Sequence, residues 1–415
     1  MRADPANRDI LLRLAADRVQ RALRAMPVVV VMGARQTGKS TLVRTLPGAA
    51  ARPYVTLDDL DARADAATSP DDLVRRAPVL TLDEVQREPD LLLAIKRAVD
   101  ESRPRRPGQF LLTGSANLLL MRRVSETLAG RATYVTLRPL TRREQLGQGR
   151  AGLWSELLST SVAAWYDLVL EQDVGSAGWQ ELARRGGYPT PSHEMDATAP
   201  REEWFRGYVQ TYLERDLQDL SAIDNLIDFR RLMRAACLRL GGLLNQADLN
   251  RDTGIPAATL HRYLNLLETS FQLVRLEPYA VNRTKRLVKS PKLYWTDSGL
   301  AMHLAGEAQP RGEHLENLVL MDLLAWRDTD AADTQVMFWR AHTGEEVDFV
   351  VEAGDRLLAI EVKSAPRVRH ADARHLLTFR EQYGDAVQGA LLLHTGVEVF
   401  WAADRVLAAP WWRVL

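Results

Sequence analysis

Residues 28–42 read VVVVMGARQTGKSTL, a β-branched run that passes through Gly33-x4-Gly38-Lys39-Ser40 into a helical pattern. This stretch constrains the fold more tightly than any other. A strand that is apolar on both faces must be covered on both, so it belongs in a largely parallel sheet flanked by helices. Gly33 and Gly38 let the backbone turn sharply, so that successive N–H groups at Gln36, Thr37 and Gly38 form a cradle for phosphate oxygens. Lys39 then supplies a positive charge for the β- and γ-phosphates of a nucleotide. Ser40 supplies a hydroxyl for Mg²⁺, with Thr41 beside it at the helix start.

Four further apolar runs, PYVTLDD, APVLTLDE, QFLLTGS and ATYVTL, alternate with helical segments as far as residue 150. Residues 1–150 are therefore expected to form one α/β domain, with an N-terminal helix over 8–25. APVLTLDE carries Asp83 and Glu84 to the C-terminal edge of its strand, where the phosphates lie. Asp83 is read as holding the metal through water, and Glu84 as the group that orients and deprotonates the attacking water. Ser115, with Asn117 as the second choice, ends the next strand and is read as a γ-phosphate sensor. Arg131 in ETLAGRATY is read as the cation that meets transition-state charge, in cis or across a subunit boundary.

Beyond this domain the pattern predicts a helical linker over 151–227, interrupted by RRGGYPTPSHEMDATAP as a loop and hinge. A winged helix–turn–helix over 228–300 and a second α/β region over 301–415 follow. The chain carries no net charge, with 54 basic and 54 acidic residues, so any nucleic-acid surface must be a local patch. One such patch runs from Asp228 to Lys292, with 12 basic residues against 5 acidic. Within it Gly254 can take the turn between two helices and Pro256 can open the second. Leu260, Leu264 and Leu267 fall on one face of that second helix, while Thr259, Arg262 and Asn265 fall elsewhere and suit a phosphate backbone or base edge. Arg283, Lys285, Arg286, Lys289 and Lys292 follow without an acid. DNA is the expected partner, with RNA or a protein partner as alternatives.

In TGEEVDFVVEAGDRLLAIEVKSAP, residues 343–366, a two-residue turn at Gly354-Asp355 would set Asp348 directly opposite Glu361. Their Cβ atoms would then lie ~5 Å apart, with Lys363 on the same face. Val347, Phe349, Ile360 and Val362 are expected on the other. Two carboxylates that close repel unless a proton or cation sits between them, and Mg²⁺ suits an all-oxygen site. Glu316, in RGEHLENLVLMDLLAW, is placed to join them. The plain alternative is a solvated face on which Asp–Lys attraction offsets the repulsion.

The motifs GARQTGKSTL, LTLDEVQ, LLTGSANLLL, LAGR, GGYP, YVQTYLERDLQDL, YWTDSGLAMHLAG, EVDFVV and AIEVKSA resemble one family nearly end to end. That family is the bacterial and archaeal AAA-type ATPases that join an ATPase core to a C-terminal domain with a restriction-endonuclease-like motif. The resemblance implies Lys39, Ser40, Asp83 and Glu84 for ATP and Mg²⁺. It implies Glu316, Asp348, Glu361 and Lys363 for a nuclease-like centre, acting either as a DNA-binding scaffold or as an ATP-licensed, metal-dependent endonuclease. Sites of this kind are often completed at subunit interfaces, which leaves a homo-oligomer open. The single cysteine, Cys237, excludes an internal disulfide. The N-terminus lacks the apolar core of a secretory signal, and the apolar runs fall short of the ~18 residues a membrane span needs. A cytoplasmic protein is expected.

Overall fold

The computed structural model describes residues 10–102, 104–115, 127–172, 174–175, 178–216, 223, 225–282, 290–329 and 334–415. All five apolar runs of the N-terminal region become strands: β1 (Val28–Gly33), β2 (Tyr54–Thr56), β3 (Leu80–Asp83), β4 (Phe110–Ser115) and β5 (Ala132–Thr136). They form a parallel sheet in the order β2-β3-β4-β1-β5, with Val28 level with Phe110 on one side and Ala132 on the other. One face buries Val28, Val30, Leu82 and Leu112 under the helix Leu91–Glu101. The opposite face buries Val29, Val31 and Leu111 under the helices Ala15–Ala25 and Lys39–Thr45. The continuous apolar character of β1 is thus explained by coverage on both sides. The first helix begins at Ala15, later than its periodicity suggested, although Leu14 still packs on the core.

The linker region is helical, as its periodicity implies, with helices at Trp154–Ser159, Trp165–Leu170, Trp179–Arg185 and Thr198–Tyr208. The segment expected to be a hinge is pinned instead. Leu140 N–H donates to Gly187 O at 2.6 Å, and Gly187 N–H donates to an Asp297 carboxylate oxygen at 2.6 Å. Gly186 has φ +68°, and a Cβ there would run into the Asp297 carboxylate. That close approach is what the glycine permits.

Three helices follow, Leu226–Leu238, Gln246–Thr253 and Ala257–Thr269, then the antiparallel pair β6 (Leu273–Leu276) and β7 (Lys292–Trp295). Gly254, at φ +69°, ends the middle helix. The helix Gly312–Thr329 then leads into a six-stranded mixed sheet ordered β12-β13-β11-β10-β9-β8. Its strands are β8 (Thr334–Arg340), β9 (Glu346–Ala353), β10 (Arg356–Val362), β11 (Val387–His394), β12 (Phe400–Ala403) and β13 (Val406–Pro410). One hydrophobic cluster runs without a break from the linker helices through Trp295 and Leu320 to Leu391 and Trp411.

Candidate functional site

The loop after β1 closes around its own lysine. Gly38 (φ +90°) and Gln36 (φ +62°) take left-handed conformations, and a Cβ on Gly33 would collide with the Leu137 carbonyl oxygen. Lys39 is 5% exposed and donates to the carbonyls of Gly33 (3.2 Å) and Ala34 (2.8 Å). Burial lowers its ammonium to about 8, against the opposing pull of the Glu84 and Asp83 charges. Thr37 is fully buried, with its hydroxyl on Ala34 O, whereas Thr41 is exposed on the helix.

Ser40 Oγ lies 2.9 and 3.0 Å from the two Asp83 oxygens. Tyr54 OH reaches one of those oxygens at 2.6 Å and Thr113 Oγ1 donates to the other. A hydroxyl and a carboxylate side by side form the hard oxygen set that Mg²⁺ prefers, and the cradle beside them fits a triphosphate. Glu84, immediately after β3, sits at φ +56° with its N–H on Thr113 Oγ1 at 3.2 Å. A left-handed glutamate is a strained residue of the kind that gathers at functional sites. Its carboxylate is held by Gln86 Nε2, which also donates to Ser115 Oγ at 2.7 Å. Ser115 therefore stands beside Glu84, while Asn117 lies outside the described residues.

The structure does not bring Arg131 to this group. The residue precedes β5, and because β5 runs parallel to β1 its start lies at the opposite end of the sheet from the loop. Six residues of strand separate the two ends by roughly 16 Å. Arg131 instead makes a two-pronged pair with Asp100 at 2.8 and 2.7 Å. The expected cis contact with phosphate is therefore corrected.

Sequence reading missed Arg13, Tyr54, Gln86 and Thr113. The guanidinium of Arg13 donates to Thr37 O (2.7 Å), Arg138 O (2.6 Å) and Glu144 (3.0 Å), bracing the loop from outside. Beside it a cleft of about 470 Å³ is lined by Ile10, Leu11, Gly38, Leu140, Pro189 and His193. Ile10, Leu11, Leu42 and Pro189 on its walls, with Thr41 and Glu194 beside them, and its position at the loop suit a nucleobase.

The second group lies in the C-terminal sheet. Pairing of Ala353 with Arg356 through Phe349 with Ile360 gives the register expected from the Gly354-Asp355 turn. Asp348 and Glu361 are next in line, 8% and 4% exposed. The backbones no longer pair there, and Val362 N–H donates to an Asp348 oxygen at 2.9 Å. Lys363 Nζ is 2.6 Å from Glu361. Glu316, from the helix Gly312–Thr329, accepts from Tyr294 OH at 3.1 Å and senses the charges of Asp348 and Lys292. Burial, followed by the Asp348 charge, pushes Glu316 and Glu361 up to about 8.

Two expectations change here. Val347 packs with Met337, Trp339 and Val350, whereas Phe349 and Ile360 join the other core, because pairing with β8 is irregular between Met337 and Trp339. Such a bulge flips the side-chain alternation. Lys292, read as part of a basic surface, is 2% exposed and enters the carboxylate group, pairing with Glu346 and lying 3.5 Å from Asp348. Among the described residues no three carboxylates or imidazoles stand arranged to hold a metal ion.

In the segment of residues 226–276 Arg262 is exposed and lies over the Tyr263 ring at 5.4 Å. Asn265 is engaged by Arg275 at 2.8 Å and by His261 at 3.0 Å. Asp228, Asp248, Asp252 and Glu268 each pair with an arginine of the same segment. Arg283, Lys285, Arg286 and Lys289 lie outside the described residues. No helix among the described residues is long and apolar enough to cross a membrane.

Comparison with known proteins places these features in a family. Residues 25–146 match the family described as "AAA domain". Residues 176–311 and 311–414 match two families each described as a domain of unknown function. Uncharacterized proteins of Mycobacterium tuberculosis and Mycobacterium bovis are each 32% identical over 411 residues, covering 96% of this chain and 83% of theirs. Among solved structures, the Walker-type ATPase of Pyrococcus abyssi aligns with a TM-score of 0.43 and 18% identity, over 70% of this chain and 94% of that one. The Aeropyrum pernix ORC1 protein, solved in complex with DNA, gives 0.30 and 13% over 73% and 95%. With nearly its whole length matched at 32% identity, the chain belongs to the family of the two mycobacterial proteins, and its residues 25–146 are an AAA-type ATPase domain.

Proposed function

We propose that this protein hydrolyses Mg·ATP at the loop of residues 33–41 and uses the turnover to act on DNA in the cytoplasm. The observation that carries the reading is the grouping of Ser40, Asp83, Glu84 and Ser115 around the buried Lys39 at one sheet edge. Lys39 and the loop N–H groups would hold the β- and γ-phosphates, and Ser40 with Asp83 would hold Mg²⁺. The metal, when bound, would neutralise charge on the transferring phosphoryl group. Glu84, fixed by Gln86, is positioned to orient the attacking water and take its proton, and Ser115 to report the γ-phosphate to that carboxylate.

The DNA reading is supported by the order of the elements, a helix, a tight turn, a second helix with Arg262 exposed, and a β-pair, which suits a winged helix–turn–helix. The basic run from Arg283 to Lys289 strengthens it. The C-terminal sheet, with Glu316, Asp348, Glu361 and Lys363 brought together, is read as a nuclease-like domain in a binding role. A second reading, a nucleotide-gated scaffold that recruits a protein, is favoured by the arginine–carboxylate pairs that neutralise much of the segment's charge.

ATP turnover measured across duplex, single-stranded and branched DNA and across RNA, with Lys39→Ala as the blank, separates the two. The DNA reading expects turnover to rise several-fold with at least one DNA form. A rate indifferent to every nucleic acid, with no retention on a salt gradient, would leave the scaffold.

A further inference from the structure

The carboxylate centre of the C-terminal sheet already contains a cation, and that cation is delivered by another part of the chain. Lys292 is the first residue of β7, which pairs with β6 and not with the sheet that carries Asp348 and Glu361. Its side chain, 3% exposed, ends between Glu346 and Asp348, with the Phe338 ring 5.6 Å from the ammonium. Two more contacts come from the same segment. Tyr294 OH donates to Glu316, and Gly241 sits close enough that a Cβ would lie 3.3 Å from a Glu316 oxygen. Backbone bonds between Gly241 N–H and Leu293 O (2.8 Å), and between Leu293 N–H and Gly242 O (2.9 Å), tie these residues into one piece. That piece covers the centre.

We propose that the Lys292 ammonium is an internal plug, standing where a divalent ion would bind between Asp348 and its neighbouring carboxylates. The centre then accepts a metal only when β7 withdraws the lysine. This rests on reading the centre as cation-holding. An ammonium and a divalent ion cannot share so small a group, because both are positive and both need the same oxygens. The plug satisfies the centre incompletely. Four carboxyl groups, Glu316, Glu346, Asp348 and Glu361, share Lys292 and Lys363 inside and Arg340 at the rim, 3.3 Å from Glu346. One Glu361 oxygen is buried without a partner. Removing the ammonium would therefore leave Glu346 and Asp348 without their cation, with oxygens that a hard cation could take.

The test is Mn²⁺ binding to the full-length, nucleotide-free chain, read by the loss of the free-ion paramagnetic resonance signal. Lys292→Met is expected to bind one Mn²⁺ at least tenfold more tightly than the unaltered protein. Adding Asp348→Asn should abolish the gain, and Lys292→Arg, which retains the charge, should bind as the unaltered protein does. Lys292→Gln, which keeps a donor for Glu346, serves if the methionine variant does not fold by circular dichroism. Equal, Asp348-dependent binding with and without Lys292 would overturn the plug and keep the cation-holding reading. Absence of Mn²⁺ binding in every folded variant would overturn both.

Discussion

Glu84 illustrates how much of the site lives in single residues. It sits one position past a strand, in a left-handed conformation, with its carboxylate fixed by Gln86. Glu84→Gln retains shape and should leave ATP binding within about twofold. Loss of a general base should lower turnover by about 10²- to 10⁴-fold, measured as phosphate release at saturating ATP. The phosphate loop was legible because its chemistry depends on local spacing: Gly33, Gly38, Lys39 and Ser40 lie within eight residues. Gln86, Tyr54 and Arg13 were not, because each reaches the site through the tertiary fold. Arg131 misled as a cis contact because abundance of arginine carries no address. Asp322 makes a different point. It is buried, accepts Gly152 N–H (2.8 Å) and Trp154 Nε1–H (2.6 Å) on one oxygen, and is pushed up to about 6 by burial. A carboxyl whose folded value exceeds its unfolded 3.8 contributes stability that is complete below about pH 4 and is lost as pH rises through about 6. Asp322→Asn keeps the accepting oxygen. It should flatten that fall, roughly 2–3 kcal/mol, in urea unfolding measured between pH 4 and 7.

At the scale of elements, the five strands of the AAA sheet and the tail hairpin were legible for one reason: each obeys a short-period rule. The two-residue turn at Gly354-Asp355 fixed the pairing of Ala353 with Arg356 and everything beyond it as far as Phe349 with Ile360. The bulge opposite Met337–Trp339 was invisible, because an extra residue in one strand leaves the apolar count unchanged. The charge run that ends in Lys292 reads as a phosphate-binding surface, yet its last member is buried where β7 begins. The GGYP loop reads as part of a hinge, and in the structure its Gly187 N–H is held by Asp297. Gly186→Ala would place a Cβ against that carboxylate at positive φ. It should cost about 2–4 kcal/mol of stability, detectable as an earlier urea midpoint, with the loop glycines of the nucleotide site untouched.

The whole molecule is more continuous than its sequence divisions. Family matches change at residue 311, but the hydrophobic cluster crosses that point, packing Trp295, Leu300 and Met302 with Leu315, Leu320 and Leu323. A fragment ending at residue 310 should therefore bind an apolar dye and aggregate on size exclusion, where the full chain does neither. The AAA sheet is fastened to the rest by Arg138 and Asp328 at 2.7 Å, both largely buried, and by Arg142 on the Trp412 carbonyl. At the nucleotide loop the fastening is finer. Tyr208 OH reaches the Arg35 carbonyl at 3.4 Å, Tyr188 OH at 3.0 Å and Gln272 Nε2 at 3.2 Å. Gln272 sits just past the helix Ala257–Thr269. One phenol therefore has a hand on both the loop and that helix's far end. A change in the loop's shape around a guest would therefore be felt at that ring, either as a lost contact to the Arg35 carbonyl or as a shift passed on to Gln272.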